Sequence, residues 1–334
     1  MTGSKNTSSN PSLDTEGLLA EARSVLAELG VTETGEPSPR PLNQRSTSIL
    51  LPCQGTEGQP FLLKYFIPPL EGRFYPPEVN LEDYARREVA FYSFLDSFDA
   101  RRRKLPAPKT IMMDPADPPR WVLLEHIHTA KGPRSEILSS TDIYQILDQF
   151  QDLPMDRLMG RRNFPLNRWD IASLRDRVVR LMYDPLIFIL GEDTWAEVRN
   201  FFNEAMRWLE TRKTVPVHGD FVEENIIVDE EGRPYLIDFE RIGIGAPEHD
   251  FAWFWIHNDR PRDWKKNFFQ RYLEDHFGSD RVRCEWSIRA SVVYLACRRL
   301  RFGFLTEGET DPLRVSNLAL LKAALSGGSD LFPQ

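Results

Sequence analysis

Cysteine is scarce in this chain: three residues in 334, Cys53, Cys284 and Cys297. Their wide spacing and odd number exclude a disulfide framework and a zinc-ligand pattern, and they point to a reducing, cytoplasmic setting. No apolar run approaches the ~20 residues that span a bilayer, so no membrane partner is expected. Positive charge is in deficit, with 42 Lys and Arg against 50 Asp and Glu and a net charge of −8. That balance argues against non-specific binding to nucleic acid. The one basic cluster, Arg101-Arg102-Arg103-Lys104, reads as a solvated turn. Residues 1–15 are polar, rich in Ser and Asn and lack an apolar signal core, so a disordered tail without secretory export is expected. No internal repeat is visible, and nothing in the sequence sets an oligomeric state. Core-forming material is plentiful. Apolar residues make up 41% and aromatics 11% of the chain, which excludes wholesale disorder, and the length suits about two domains.

Apolar periodicity predicts a helix over 16–29, stopped by Gly30, and then a connector rich in Pro, Gly and Thr. Two β-like runs, 48–51 and 61–66, form a hairpin with a loose tip. An insert over 67–82 carries four prolines and no periodicity. It is a candidate lid, with disorder as the alternative. A helix opens after Leu81-Glu82-Asp83 and runs to Leu95. Further β-like runs lie around 110–113 and 121–127. From about 140 the text turns helical over 141–151, 171–183, 193–212, 263–276 and 284–304. It is interrupted by strands at 226–228 and 235–237, joined by the turn Glu230-Glu231-Gly232-Arg233.

Two short stretches carry the chemistry. In Val217-His218-Gly219-Asp220-Phe221-Val222-Glu223-Glu224-Asn225 a carboxylate precedes an amide by five positions. In Leu236-Ile237-Asp238-Phe239-Glu240 a second carboxylate follows the first by 18. This spacing resembles a kinase catalytic loop followed by its metal loop. There one Asp takes the proton of the accepting hydroxyl, while Asn and the second Asp hold Mg²⁺ against the phosphates of ATP. Hard cations want such oxygen ligands. Lys64 lies in Phe61-Leu62-Leu63-Lys64-Tyr65-Phe66, where a charge is costly unless paired. It is either an edge-strand lysine that blocks aggregation or a phosphate-pairing lysine. Glu88, 24 positions later on the next helix, is the natural ion-pair partner of the second kind.

The order of elements is that of an α+β, protein-kinase-like two-lobed fold. Residues 16–127 would form a small β-rich N-lobe and 128–334 a larger, mostly helical C-lobe. With His218-Gly219-Asp220, Asn225 and Ile237-Asp238-Phe239-Glu240, the chain resembles the aminoglycoside phosphotransferase and choline kinase superfamily. The likeness extends through Gly245-Ala246-Pro247-Glu248-His249-Asp250-Phe251-Ala252. The resemblance implies an ATP- or GTP- and Mg²⁺-dependent transfer of the γ-phosphoryl group to a hydroxyl of a small molecule. Asp220 would be the base, Asn225 and Asp238 the metal ligands, and Lys64 and Glu88 the phosphate-positioning pair. Asp250 would brace the catalytic loop, with His218 as an orienting core residue, and Glu125, His126 and Ile127 would form the hinge that holds the adenine.

Only 11 residues separate Asp238 from Asp250, and no A-P-E follows. The activation segment that a protein kinase needs to hold a peptide is therefore missing, which favours a small acceptor. The chain departs from the kinase pattern in having no Gly-rich phosphate loop; Ser46, Thr47 and Ser48 are the residues placed to cover the phosphates. Glu223 and Glu224 read either as solvated loop acids or as attractors of a cationic acceptor such as an aminoglycoside, choline or an aminoalcohol. Trp253, Trp255 and Asp259 read either as core packing or as an acceptor pocket. Two other functions compete: a catalytically weak nucleotide-binding regulator of kinase fold, and a nucleotidyl transferase that moves AMP.

Overall fold

The computed structural model describes residues 15–38, 47–69, 80–98, 105–154 and 164–327. The tail to residue 14, Ser46, positions 70–79 of the insert and the basic run 101–104 lie outside them. The chain divides into two compact units, Met1–Arg103 with Ala107–His128, and Lys104–Pro106 with Thr129–Gln334. Among the described residues no helix is long and apolar enough to cross a membrane.

In the first unit, α1 (Thr15–Leu29) is followed by β1 (Thr32–Glu33), β2 (Ser48–Gln54), β3 (Pro60–Phe66), α2 (Leu81–Asp96), β4 (Thr110–Met113) and β5 (Trp121–Glu125). The five strands form one sheet in the order β1-β2-β3-β5-β4, with every neighbouring pair antiparallel. Strand periodicity sends alternate side chains to opposite faces. Ile49, Leu51 and Cys53 of β2 and Leu63 and Tyr65 of β3 pack against Leu18, Leu19, Ala22 and Leu26 of α1. Each buried leucine contributes roughly 1.5–3 kcal/mol, so α1 is held by its apolar face more than by helical propensity. The alternation leaves Lys64 out of that α1-facing core. α2 starts where the Asn80 side chain accepts the N–H groups of Glu82 and Asp83 at 3.1 and 3.3 Å.

The second unit is mostly helical. It runs through α3 (Arg134–Ile137), α4 (Ser140–Gln151), β6 (Asn167–Trp169) and α5 (Ile171–Asp176), then a π turn over Arg177–Leu181 and α6 (Tyr183–Leu209). Next come β7 (Val215–Val217), β8 (Ile226–Val228), β9 (Pro234–Leu236) and β10 (Gly243–Gly245). The helices α7 (Glu248–His257), α8 (Arg262–Glu274), α9 (Gly278–Glu307) and α10 (Arg314–Ser326) follow. α9 is the central post, packed by α6, α7, α8 and α10. The helix expected over 171–183 is divided by the π turn. The one expected from 193 begins at Tyr183 and breaks at Gly191, whose φ is 75°.

The sequence predicts one hairpin in this half, and β8 and β9 form it. A three-stranded sheet, β6-β10-β7, was not legible, because strands of three residues show no alternation to read. β10 is Gly-Ile-Gly because its neighbour comes too close for side chains. A Cβ at Gly243 would lie 2.3 Å from the Asn167 carbonyl oxygen, and one at Gly245 2.5 Å from the Trp169 Cβ.

Candidate active site

In the first unit, Lys64 stands on β3, the middle strand of five, opposite Leu50 on one side and Val122 on the other. That position removes the edge-strand reading. Its Nζ donates to both carboxylate oxygens of Glu88, at 2.9 and 2.7 Å, and Glu88 is fully buried. Ser48 opens β2 opposite Phe66, two residues along the ladder from the Leu50–Lys64 pair. The Thr47 carbonyl accepts the Ile67 N–H at 2.9 Å. At the end of β5 the Glu125 N–H donates to the Lys109 carbonyl at 2.8 Å and the His126 N–H to the Pro60 carbonyl at 3.4 Å. Ile127 follows them, buried. Burial, with His128 beside it, lowers the His126 imidazole from its ordinary value.

In the second unit the loop that carries Asp220 hangs on one carboxylate. Asp250, at the start of α7, accepts the His218 N–H at 2.7 Å and the Gly219 N–H at 2.9 Å, one on each oxygen. Burial pushes the Asp250 carboxyl up to about 7, and the two amide donors pull it the other way. Gly219 has φ 77°, and a Cβ there would sit 2.6 Å from the Arg241 carbonyl oxygen. Glycine is thus required between the histidine and the aspartate. The His218 ring is buried and shares a hydrogen bond of 3.0 Å between Nε2 and the Ile237 carbonyl.

Asn225 donates its side-chain N–H to the Asp220 carbonyl at 2.8 Å, which leaves its Oδ1 as the atom that can bind a cation. The Ile237 N–H donates to the Asn225 carbonyl at 3.0 Å, so the two loops are tied backbone to backbone. Asp238 is held at φ 68°, ψ 64°. Among the described residues it is the one non-glycine with positive φ, and such strain persists where surrounding structure imposes it. An amide oxygen and a carboxylate on a fixed backbone are donors that suit Mg²⁺.

The five residues that could line an acceptor pocket differ in their surroundings. Glu223 is engaged by Arg260, at 2.7 Å, and its carbonyl accepts from Arg134 at 2.6 Å. Glu224 and Asp259 are exposed. Trp253 and Trp255 are core residues: Trp253 stacks on His257 with centroids 4.9 Å apart, and Trp255 lies 5.9 Å from Phe269. Sequence reasoning missed Arg241, whose Nη1 lies 3.6 Å from Asp220 Oδ1, and Trp169, whose indole N–H donates to the Arg241 carbonyl at 3.3 Å. Arg241 follows Asp238 by three positions, which is a faint signal, while Trp169 carries none. A small pocket lined by Trp169, Arg212, Thr214 and Ser291 among others includes neither Asp220, Asn225 nor Asp238.

His249, stacked on Trp169 at 4.8 Å, is fully buried. Burial, with Arg177 and Arg241 near, pushes its imidazole from 6.5 to about 3. Between those values the unfolded chain binds a proton that the folded chain refuses, so stability falls as pH falls through that window. His249→Asn is expected to flatten the dependence of unfolding free energy on pH between 4 and 6 by about 1.4 kcal/mol per unit. Urea midpoints of the two proteins across that range measure it, and parallel slopes would acquit His249.

The sequence profile of the phosphotransferase enzyme family matches residues 54–285, well over half of the chain. The chain belongs to that family. The expectation of a small-molecule phosphotransferase is thereby borne out at the level of the family. No curated protein sequence matches the chain. Among solved structures, this phosphotransferase resembles a choline/ethanolamine kinase family protein from Mesorhizobium loti, with 15% identity and a TM-score of 0.57 over 94% of this chain and 96% of that one. It also resembles the ADP-bound aminoglycoside phosphotransferase APH(2'')-Ib, with 17% identity and a TM-score of 0.57 over 94% and 99% of the two chains. A third likeness is to a thermostable mutant of aminoglycoside phosphotransferase APH(4)-Ia in ternary complex with AMP-PNP and hygromycin B. There the identity is 13% and the TM-score 0.58, over 92% of this chain and 98% of that chain. At such identities the likeness carries the fold alone, and the protein-kinase-like fold read from the order of elements is the fold of this phosphotransferase.

Proposed function

We propose that this phosphotransferase moves the γ-phosphoryl group of ATP to a hydroxyl of a small molecule, with Mg²⁺ as cofactor. The observation that carries the reading is the catalytic loop itself. Asp220 is presented by a backbone that Asp250 and Asn225 hold from two sides. Asp220 would take the proton of the accepting hydroxyl, and Lys64, aimed by Glu88, would pair with the nucleotide phosphates. Asn225 Oδ1 and the Asp238 carboxylate would hold Mg²⁺, which neutralises charge on the phosphates when bound. Solved neighbours hold ADP or AMP-PNP, which supports a nucleotide as donor. The backbone after β5, at Glu125, His126 and Ile127, would meet the adenine, and Thr47 and Ser48 would approach the phosphates.

ATP labelled separately on the α- and γ-phosphates tests the reaction class across hydroxyl acceptors. Label should pass to the acceptor from the γ-position alone and only while Mg²⁺ is present. Asp238→Ala should also weaken Mg²⁺-dependent ATP binding in calorimetry, a readout independent of turnover. Transfer of α-label would make the protein a nucleotidyl transferase, and tight ATP binding with no transfer to any alcohol would make it a regulator.

A further inference from the structure

Asp220 stands beside an arginine as well as beside the acids Asp238 and Asp250. Arg241 is 3.6 Å from its carboxylate, and from there positive charge continues through two buried indoles. The Trp169 ring carries Arg177 at 4.2 Å and Arg241 at 5.8 Å from its centroid. The Trp253 ring carries Arg241 at 4.8 Å and Arg298 at 5.5 Å. Three guanidinium groups are thus strung along two aromatic faces, an arrangement that holds arginine planes in place. Arg177 opens the π turn, and such turns redirect side chains and are frequent at functional sites.

Neighbouring basic groups register the crowding. His257 is pushed down to about 3 by burial, with Arg299, Arg298 and Arg241 adding to it. Lys265 and Arg299 are both lowered by burial first; Asp259 then pulls Lys265 back up, Arg299 presses it down and Glu223 raises it, while Arg298 presses on Arg299. Two of the acids that could draw a cationic acceptor are engaged or exposed. Glu223 is held by Arg260, and Asp259 is exposed beside Lys265.

We propose that the phosphate acceptor is an anionic alcohol, a hydroxyl compound that also carries a carboxylate or a phosphate, and that Arg241, next to Asp220, receives its charge together with Arg298 and Arg177 on the adjoining indoles. This rests on the phosphotransferase reading above and fixes the charge of the acceptor. Guanidinium forks match both anions, and a choline- or aminoglycoside-like cation would meet Arg241 at the base. In the step, the acceptor oxygen bonds to the γ-phosphorus of ATP, the bond from that phosphorus to the β,γ-bridging oxygen breaks and departs with ADP, and the hydroxyl proton passes to Asp220.

The test is ADP release by the full-length protein with Mg²⁺-ATP over matched acceptors. These are glycerate and gluconate as carboxylates, glycerol 3-phosphate and fructose 6-phosphate as phosphates, glycerol and glucose as neutral compounds, and choline, ethanolamine and hygromycin B as cations. One anionic arm should exceed the neutral and cationic arms in kcat/KM by about tenfold or more, and which anionic arm leads tells carboxylate from phosphate. Arg241→Gln and Arg298→Gln should each raise KM for the best anion by about tenfold or more, with KM for ATP unmoved; a merely structural role would not split the two. A cationic or neutral acceptor used as well as any anion overturns the inference and leaves the kinase reading standing. ATP turnover indifferent to every acceptor removes the kinase reading and this inference together.

Discussion

Asp220→Asn should lower turnover by about 10²–10⁴-fold, the usual loss when a positioned general base is removed. The fold should survive. The Asp220 side chain is 27% exposed, and the loop is positioned by Asp250 and Asn225 through backbone atoms that the substitution leaves alone. Asparagine keeps the shape and loses the lone-pair basicity, so KM for ATP should hold while kcat falls. The residual rate would come from alignment of the reactants, which does not need the base. Steady-state kinetics beside a thermal melt measure both halves. A turnover within a few-fold of the parent would take the base role away from Asp220, and a collapsed melting curve would show it to be a structural residue.

Lys64→Met should destabilise the protein by about 3–5 kcal/mol, because it strips a buried carboxylate of its cation. Glu88 has no exposed surface, so water cannot take over from the lysine ammonium. Against a typical total of about 5–15 kcal/mol that is a severe loss. The double variant Lys64→Met with Glu88→Leu should recover most of it, since apolar replacements of similar volume are commonly neutral or better than a buried pair. Turnover should stay down by about 10²-fold or more in both proteins, because the phosphates lose their positioning cation. Urea unfolding and ADP release, run on the same preparations, separate the two effects. If the double variant regained activity, the pair would be scaffold. If the single variant were as stable as the parent, the burial argument would be wrong.

Much of the candidate site was legible because kinase-type chemistry fixes the spacing of a few polar residues in the chain. The order H-G-D, N and D placed His218, Asp220, Asn225 and Asp238. An isolated charge in an apolar strand placed Lys64, and Glu88 followed from the need to pair it. Fold class was readable for a related reason: strand-like runs between two helices fill the first 130 residues, and the rest is mostly helical in period. The short strands were not readable, because three residues give no period and β10 is specified by what approaches it. The sequence left Trp253 and Trp255 open between core packing and pocket walls, and burial against other rings made them core. The arginines were missed because their meaning lies in convergence. Arg177, Arg241 and Arg298 are far apart in the chain and meet only at two indoles.

The catalytic loop has no helix or strand of its own at Asp220, and it borrows its rigidity. The carboxylate that clasps it lies 31 and 32 positions beyond the two amides it accepts, on a helix whose buried side chains run from Glu248 to Trp255. The precision of the base is therefore a property of how α7 seats on α9. Substitutions deep in that seat, touching neither nucleotide nor acceptor, would shift the aspartate before they unfold the protein. Variants of that kind would be slow, well-folded enzymes whose fault lies in the packing behind the site.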